Sequence, residues 1–141
     1  MKLRKALAIL AVVLFVVPVL AACGGGAPAP GTINVSLTSY KIAPSSTTAP
    51  AGSVTFHVKN DATDQTHEFV VVQSDKPSDQ LPLDSEGNVD EDQINGLGEV
   101  EDVAIGESKD LTLNLAAGHY VLMCNLPGHY QQGMHLDFTV Q

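Results

Sequence analysis

The sequence predicts an all-β sandwich or barrel, and three observations carry that prediction. Apolar and polar residues alternate over short runs with a period of two, not the 3.6 of a helix. Gly, Pro and Asn punctuate those runs at short intervals. From Thr32 to Gln141 no segment has the length and periodicity of an ordinary helix, and the stretch is long enough for one core but not two.

Before that stretch the chain has a different character. Lys2, Arg4 and Lys5 precede an uncharged apolar run from Ala6 that ends in Leu20-Ala21-Ala22-Cys23. A basic start, an apolar middle and small residues before a cleavage point make residues 1–22 a secretory signal. The four residues ending at Cys23 look like the bacterial lipobox, whose cysteine becomes the lipid-bearing first residue of the exported chain. An uncleaved anchor is the alternative, since about twenty apolar residues span a bilayer. Pro18 and the small residues favour cleavage. Either outcome places the domain outside the cytoplasm and ties it to a membrane, periplasmic or extracellular. Residues 23–31, rich in Gly, Pro and Ala, have no large apolar side chain to bury and read as a tether.

The domain spans residues 32–141. Ile33, Val35 and Leu37 alternate with polar residues, and Tyr40 and Ile42 continue in the opposite phase, so a bulge or bend is expected near Thr38-Ser39. Val54, Phe56 and Val58 form a second strand after Ala51-Gly52. His67 to Val72 is a third, apolar on both faces toward its end and therefore central. Leu111 to Leu115, Gly118 to Cys124 and Met134 to Val140 read as consecutive antiparallel strands, the last two joined by a loop from Cys124 to Met134. Gln73 to Gly98 breaks the rhythm with Pro77, Pro82, Gly87 and Gly96, and leaves room for one helical turn over Val89 to Ile94. Irregular connections of that length tend to be functional or mobile.

Without residues 1–22 the chain keeps four basic residues against sixteen acidic ones, a net charge of −12. Ten of the acids lie between Pro77 and Ser108, where there is no Lys or Arg. Such a field excludes nucleic acid as a partner. It suits a basic protein, although solubility alone would also account for it.

The chemistry concentrates in Cys124 to Met134. Four residues separate Cys124 from His129, and four separate His129 from Met134, around a Pro127-Gly128 turn. With Cys23 assigned to lipid, Cys124 is a lone thiol in an oxidising compartment, a liability unless something occupies it. Two His and one Cys with a weak, distant Met are the ligands that select copper for electron transfer. Zinc is disfavoured because a thioether is not among its usual ligands. One more histidine must therefore come from elsewhere. His57 lies mid-strand on the polar face with Thr55 and Lys59, His119 follows a turn glycine, and His135 is out of phase with Met134 and points outward. His67 differs, because it follows the polar loop Asn60 to Thr66 and opens an apolar central strand at one end of the sandwich. Taken alone, His67 would read equally well as a structural histidine; the company of Cys124, His129 and Met134 decides for a ligand.

Asn60 to His67 followed by an apolar strand, and a terminal Cys-loop-His-loop-Met before a final strand, resemble the cupredoxins, the small blue copper proteins related to plastocyanin and azurin. The loop spacing is most like that of the auracyanins and rusticyanin. The resemblance implies a Greek-key β-sandwich over residues 32–141 and one type 1 copper held by His67, Cys124, His129 and Met134, with Met134 as weak axial ligand. It also implies that Leu126, Pro127 and Gly128 rim the edge of His129 where the electron leaves. Many cupredoxins follow the first His with Asn and the Cys with Ser or Thr; here those positions hold Glu68 and Asn125. The expectation is that the Glu68 carboxylate accepts from the Asn125 amide and so keeps the ligand loops tied. A Glu68 that points to water is the plainer reading.

The function expected is a membrane-tethered carrier of single electrons between redox proteins, docking a basic face. The alternative is an extracytoplasmic copper chaperone or storage protein, for which the chain has little: Met123 and Met134 are the only methionines after the leader, so there is no Met-rich docking patch. An enzyme with Cys124 as nucleophile and a neighbouring His as base leaves Met134 without a task. A copper oxidase or reductase would need a second metal centre, and the sequence has no spare His cluster. The chain is therefore not expected to be an enzyme.

Overall fold

The computed structural model describes residues 31–141. The signal expected over 1–22, the lipid attachment expected at Cys23 and the tether as far as residue 30 lie outside the described residues. The described chain forms strands β1 (Thr32–Thr38), β2 (Lys41–Pro44), β3 (Thr48–Ala49), β4 (Gly52–Asn60), β5 (His67–Gln73), β6 (Asn95–Val103), β7 (Ser108–Leu115), β8 (Gly118–Met123) and β9 (His135–Val140), with one 3-10 turn over Glu91–Gln93. One sheet has the order β2-β1-β4-β7 and the other β3-β9-β8-β5-β6. Pairs β1–β4 and β3–β9 are parallel and the remaining pairs antiparallel. This is the Greek-key sandwich that the alternation and the resemblance predict. No helix among the described residues is long and apolar enough to cross a membrane.

Strand parity builds the core. Side chains at alternate positions share a face, so Ile33, Val35 and Leu37 of β1 and Val54, Phe56 and Val58 of β4 meet Phe69, Val71, Tyr120, Leu122, Phe138 and Val140 from the opposite sheet. Phe56 joins the two layers, its ring centroid 5.3 Å from that of Phe69 and 5.5 Å from that of Phe138. Edge-to-face and tilted aromatic contacts of this kind add to the area they bury. The other parity of β5 and β8 is apolar as well, and Val70, Val72, Val121 and Met123 form a second cluster on the outside of their sheet. Leu81, Val89 and Tyr130 cover it.

Four expectations change or sharpen. The bend at Thr38-Ser39 is a hairpin, with Thr38 paired to Lys41, so the phase reverses because the chain does. The strands read as consecutive neighbours are not all neighbours: β7 pairs with β4, and only β8 and β9 lie side by side, so Ala116 and Ala117 carry the chain from one sheet to the other. The stretch read as irregular up to Gly98 already contains the start of β6, which pairs with β5 at the sheet's edge. The helical turn expected over Val89 to Ile94 is the short 3-10 turn over Glu91–Gln93, capped by the Asp90 side chain accepting from the Asp92 amide at 3.2 Å.

Candidate metal centre

Topology gathers one end of the sandwich. The C-terminal ends of β1, β4, β6 and β8 and the N-terminal ends of β5 and β7 lie together, because Leu37 pairs with Asn60, Lys59 with Ser108, His67 with Val103 and Val70 with Met123. His67 has the parity of Phe69 and Val71, Cys124 that of Tyr120 and Leu122, and Met134 that of Phe138 and Val140. Each of the three is thus the next inward position beyond the core on its strand, and Cys124 and Met134 pack within the main core cluster.

The loop that supplies His129 is built from turns. Leu126 to His129 closes through the His129 amide donating to the Leu126 carbonyl at 2.9 Å, with Pro127 second and Gly128 third at φ 79°. Pro then Gly in those positions is what a type II turn requires. The Met134 amide donates to the His129 carbonyl at 3.1 Å, and the Cys124 amide to the Met134 carbonyl at 3.0 Å, which shuts the loop at its base. His67 is set by Asn60, fully buried, whose side-chain amide donates to the carbonyls of Gln65 at 3.0 Å and Val103 at 2.8 Å while its oxygen accepts from the Ala62 amide.

The result is convergence of three donors. His129 Nδ1 lies 3.3 Å from His67 Nδ1 and 3.3 Å from Cys124 Sγ. One ligand atom from each of the three residues falls within 4.8 Å of the others. His67, Cys124 and Met134 are fully buried and His129 is 8% exposed. Burial pushes both imidazoles below their ordinary value; the charge of His129 adds to this at His67, and Asp64 opposes it at both. Both are therefore neutral at neutral pH, the form that ligates a metal. Burial pushes the Cys124 thiol up to about 11, against the backbone amides of Glu68 and Leu126. The thiol must lose its proton on binding a metal. Two neutral imidazole nitrogens, one thiol and a neighbouring buried thioether fit copper by the chemistry of the donor set.

The other histidines lie apart from this group. His57 Nδ1 meets Asp110 at 2.6 Å on the surface. His119 bridges the Ser74 carbonyl and Asp137. His135 points away from the main core, as its parity predicts, but the segment at Ser78 covers it, with Nδ1 3.1 Å from the Ser78 hydroxyl. Glu68 and Asn125 do meet, through atoms other than those expected. The Asn125 backbone amide donates to Glu68 Oε1 at 2.6 Å. The Asn125 side chain turns away, accepting from the Val89 amide at 2.8 Å and donating to the Val89 carbonyl and Glu91 at 3.0 Å each. Among the rim residues Pro127 is exposed and Leu126 and Gly128 half-buried. Sequence reasoning missed Asn60 as the organiser of the His67 loop, although an Asn at a strand end before a turn is its signal. It also missed Tyr40, whose ring lies 5.3 Å from that of His129 at an interplanar angle of 84°.

A two-layer β-sandwich with a buried His-Cys-His group and a neighbouring Met at one end is the framework of a small metal-binding protein. The chain matches the family model of the cupredoxin-like domain over residues 6–135 and belongs to that family. It is similar to the dithionite-reduced auracyanin of Roseiflexus castenholzii, at 25% identity over 79% of this chain and 97% of that one, with a TM-score of 0.60. Auracyanin B matches at 26% identity over 78% and 88%, with a TM-score of 0.61. Rusticyanin of Thiobacillus ferrooxidans shares the fold, at 17% identity over 80% and 79%, with a TM-score of 0.57. No curated protein matches the chain significantly. The cofactor of the family is one type 1 copper, and the His67, Cys124 and His129 group with Met134 could hold it. Single-electron transfer between partner proteins is the family's activity.

Proposed function

We propose that this chain is an exported, lipid-tethered carrier of single electrons, with copper held by His67, Cys124 and His129 and weakly by Met134. The convergence of the three donor atoms on one point carries the reading. When bound, copper supplies the one-electron change. The chain supplies a preformed set of donors, each fixed by its own strand end or turn. Neither oxidation state requires them to move far, and small rearrangement favours fast exchange. Burial of His67, Cys124 and Met134 keeps water from the donors. The electron leaves past His129 and the rim of Leu126, Pro127 and Gly128. Attachment through Cys23 holds the carrier at the membrane outside the cytoplasm, and its acidic surface docks a basic face on the redox partner.

The test is to add Cu(II) to the chain from residue 24 onward and record visible and electron paramagnetic resonance spectra. An intense blue charge-transfer band is expected, lost on reduction and in Cys124→Ser; a pale complex would sink the proposal. Expressed with its leader, the protein should sediment with membranes and carry at Cys23 a lipid that mass spectrometry detects and that Cys23→Ser lacks.

A further inference from the structure

The β1–β2 hairpin turn touches both sides of the metal centre. Its four residues are Thr38 to Lys41, and Tyr40, the third, takes a left-handed φ of 58°. Gly or Asn is the ordinary choice for that conformation, and a bulky residue held there is strained. Strain that persists calls for a reason in the surroundings. Those surroundings are specific. The Ser39 hydroxyl meets both oxygens of Asp64, at 2.8 and 2.9 Å, and so fixes the turn to the loop that leads into His67. The Asp61 amide donates to the Leu37 carbonyl at 2.8 Å and the Ser36 hydroxyl to Asp61 at 2.6 Å, anchoring the same loop further along. The next residue of the turn, Tyr40, sets its ring edge-to-face against His129. Tyr40 is 37% exposed while His129 beneath it is 8% exposed.

We infer that Tyr40 is a positioning residue of the metal centre: its ring seats the His129 imidazole and screens its outer edge from water. The inference rests on the assignment of His129 as a ligand. The hairpin then acts as a clasp, with Ser39 on the His67 side and Tyr40 on the His129 side. A partner approaching the His129 edge meets the Tyr40 ring there. Glycine would suit the backbone better and would remove the ring, so the strain at Tyr40 is retained for the sake of the contact.

Three chains test this: wild type, Tyr40→Phe, which keeps the ring, and Tyr40→Gly, which removes it while relieving the backbone. Thermal unfolding of the metal-free proteins should show Tyr40→Gly folded. In those proteins, carbethoxylation of His129 by diethyl pyrocarbonate is followed by peptide mass mapping, with exposed His57 as internal reference. The rate should rise several-fold in Tyr40→Gly and match wild type in Tyr40→Phe. In the copper-loaded proteins, the reduction potential and paramagnetic resonance spectrum should shift in Tyr40→Gly alone. Equal carbethoxylation rates in all three chains overturn the inference. A faster rate with unchanged potential and spectrum overturns it too, because the ring would then cover His129 without seating it. Absence of a blue band in wild type would instead refute the copper assignment, whatever the His129 rates.

Discussion

Glu68 follows His67 directly, and its carboxylate holds the chain one residue beyond Cys124. Burial pushes the Glu68 carboxyl up, the Asn125 amide pulls it down, and Glu99, Glu91 and Glu101 push it up further. What the ligand loops need from this side chain is an acceptor for a half-buried N–H. Losing that acceptor should cost about 1–3 kcal/mol. Glu68→Ala is therefore expected to lower the unfolding free energy of the metal-free protein, read from its urea midpoint and slope, by that amount and to release copper to a chelator faster. Glu68→Gln keeps an oxygen in place and should lose much less; if it behaved like Ala, the charge and not the acceptor would be what matters. The pairing of positions 68 and 125 was legible in the sequence because each lies next to a residue of the candidate metal centre. Which atoms pair was not legible. The Asn125 side chain is drawn off by Val89 and Glu91, and nothing local to Asn125 says that segment passes there. Tyr40 was hidden for the same reason, since its partner is fixed only once both sheets are assembled.

Among the elements, strands whose apolar residues alternate could be read, even β7 at a sheet edge, and β6, which does not alternate, could not. The strand at Asn95–Val103 is an edge strand with Gly96, Gly98, Glu99 and Glu101 in it, and an edge strand exposed to water need not alternate. The double-sided apolar run of β5 reads as the mark of a central strand, which leaves open what covers the outer face of its sheet. It could not say that the irregular stretch from Pro77 does so, with Leu81 and Val89 as its apolar anchors. A polar network pins that cover. Asp137 on β9 accepts from the Ser78 amide at 2.8 Å and the Ser78 hydroxyl at 3.2 Å, and meets His119 at 2.9 Å. Tyr130 donates to the Ser78 carbonyl at 2.6 Å and accepts from the Leu81 amide at 3.2 Å. Burial pushes the Asp137 carboxyl up but is outweighed by Ser78 and His119, so it lies below the ordinary carboxylate range. A carboxyl depressed in the folded state adds stability above its unfolded value, about 3.9, and that stability fades as pH falls through the folded value. Denaturation of wild type and Asp137→Asn should thus differ most near neutral pH and converge in acid. A gap that stayed constant from pH 7 down to about 2 would mean Asp137 acts by shape alone.

At the scale of the whole molecule, the sandwich sets where the charge lies relative to the metal centre. The acids that crowd residues 77–108 run from the covering segment along β6 and into the turn beside Asn60, so they reach the end of the sandwich that carries His67 and Cys124. Asp64 lies at that end as well, in the loop before His67. Of the three lysines there, Lys59 pairs with Asp61 at 2.6 Å and Lys109 is engaged by Glu107 at 3.8 Å and by the carbonyls of Glu101 and Asp102, which leaves Lys41 of the hairpin turn against the acids. If the electron passes His129 as proposed, a small redox reagent there works in a negative field, whatever the natural partner is. The consequence is measurable with two small oxidants of opposite charge acting on the reduced, copper-loaded protein. Tris(phenanthroline)cobalt(III) is a cation and is drawn in; hexacyanoferrate(III) is an anion and is repelled. Raising ionic strength from about 0.01 M to about 0.15 M shortens the reach of the field from about 30 Å to about 8 Å. The cobalt rate should fall over that range and the hexacyanoferrate rate should rise. If neither rate changed, the acidic surface would lie outside the path of the electron, and docking by charge would lose its basis.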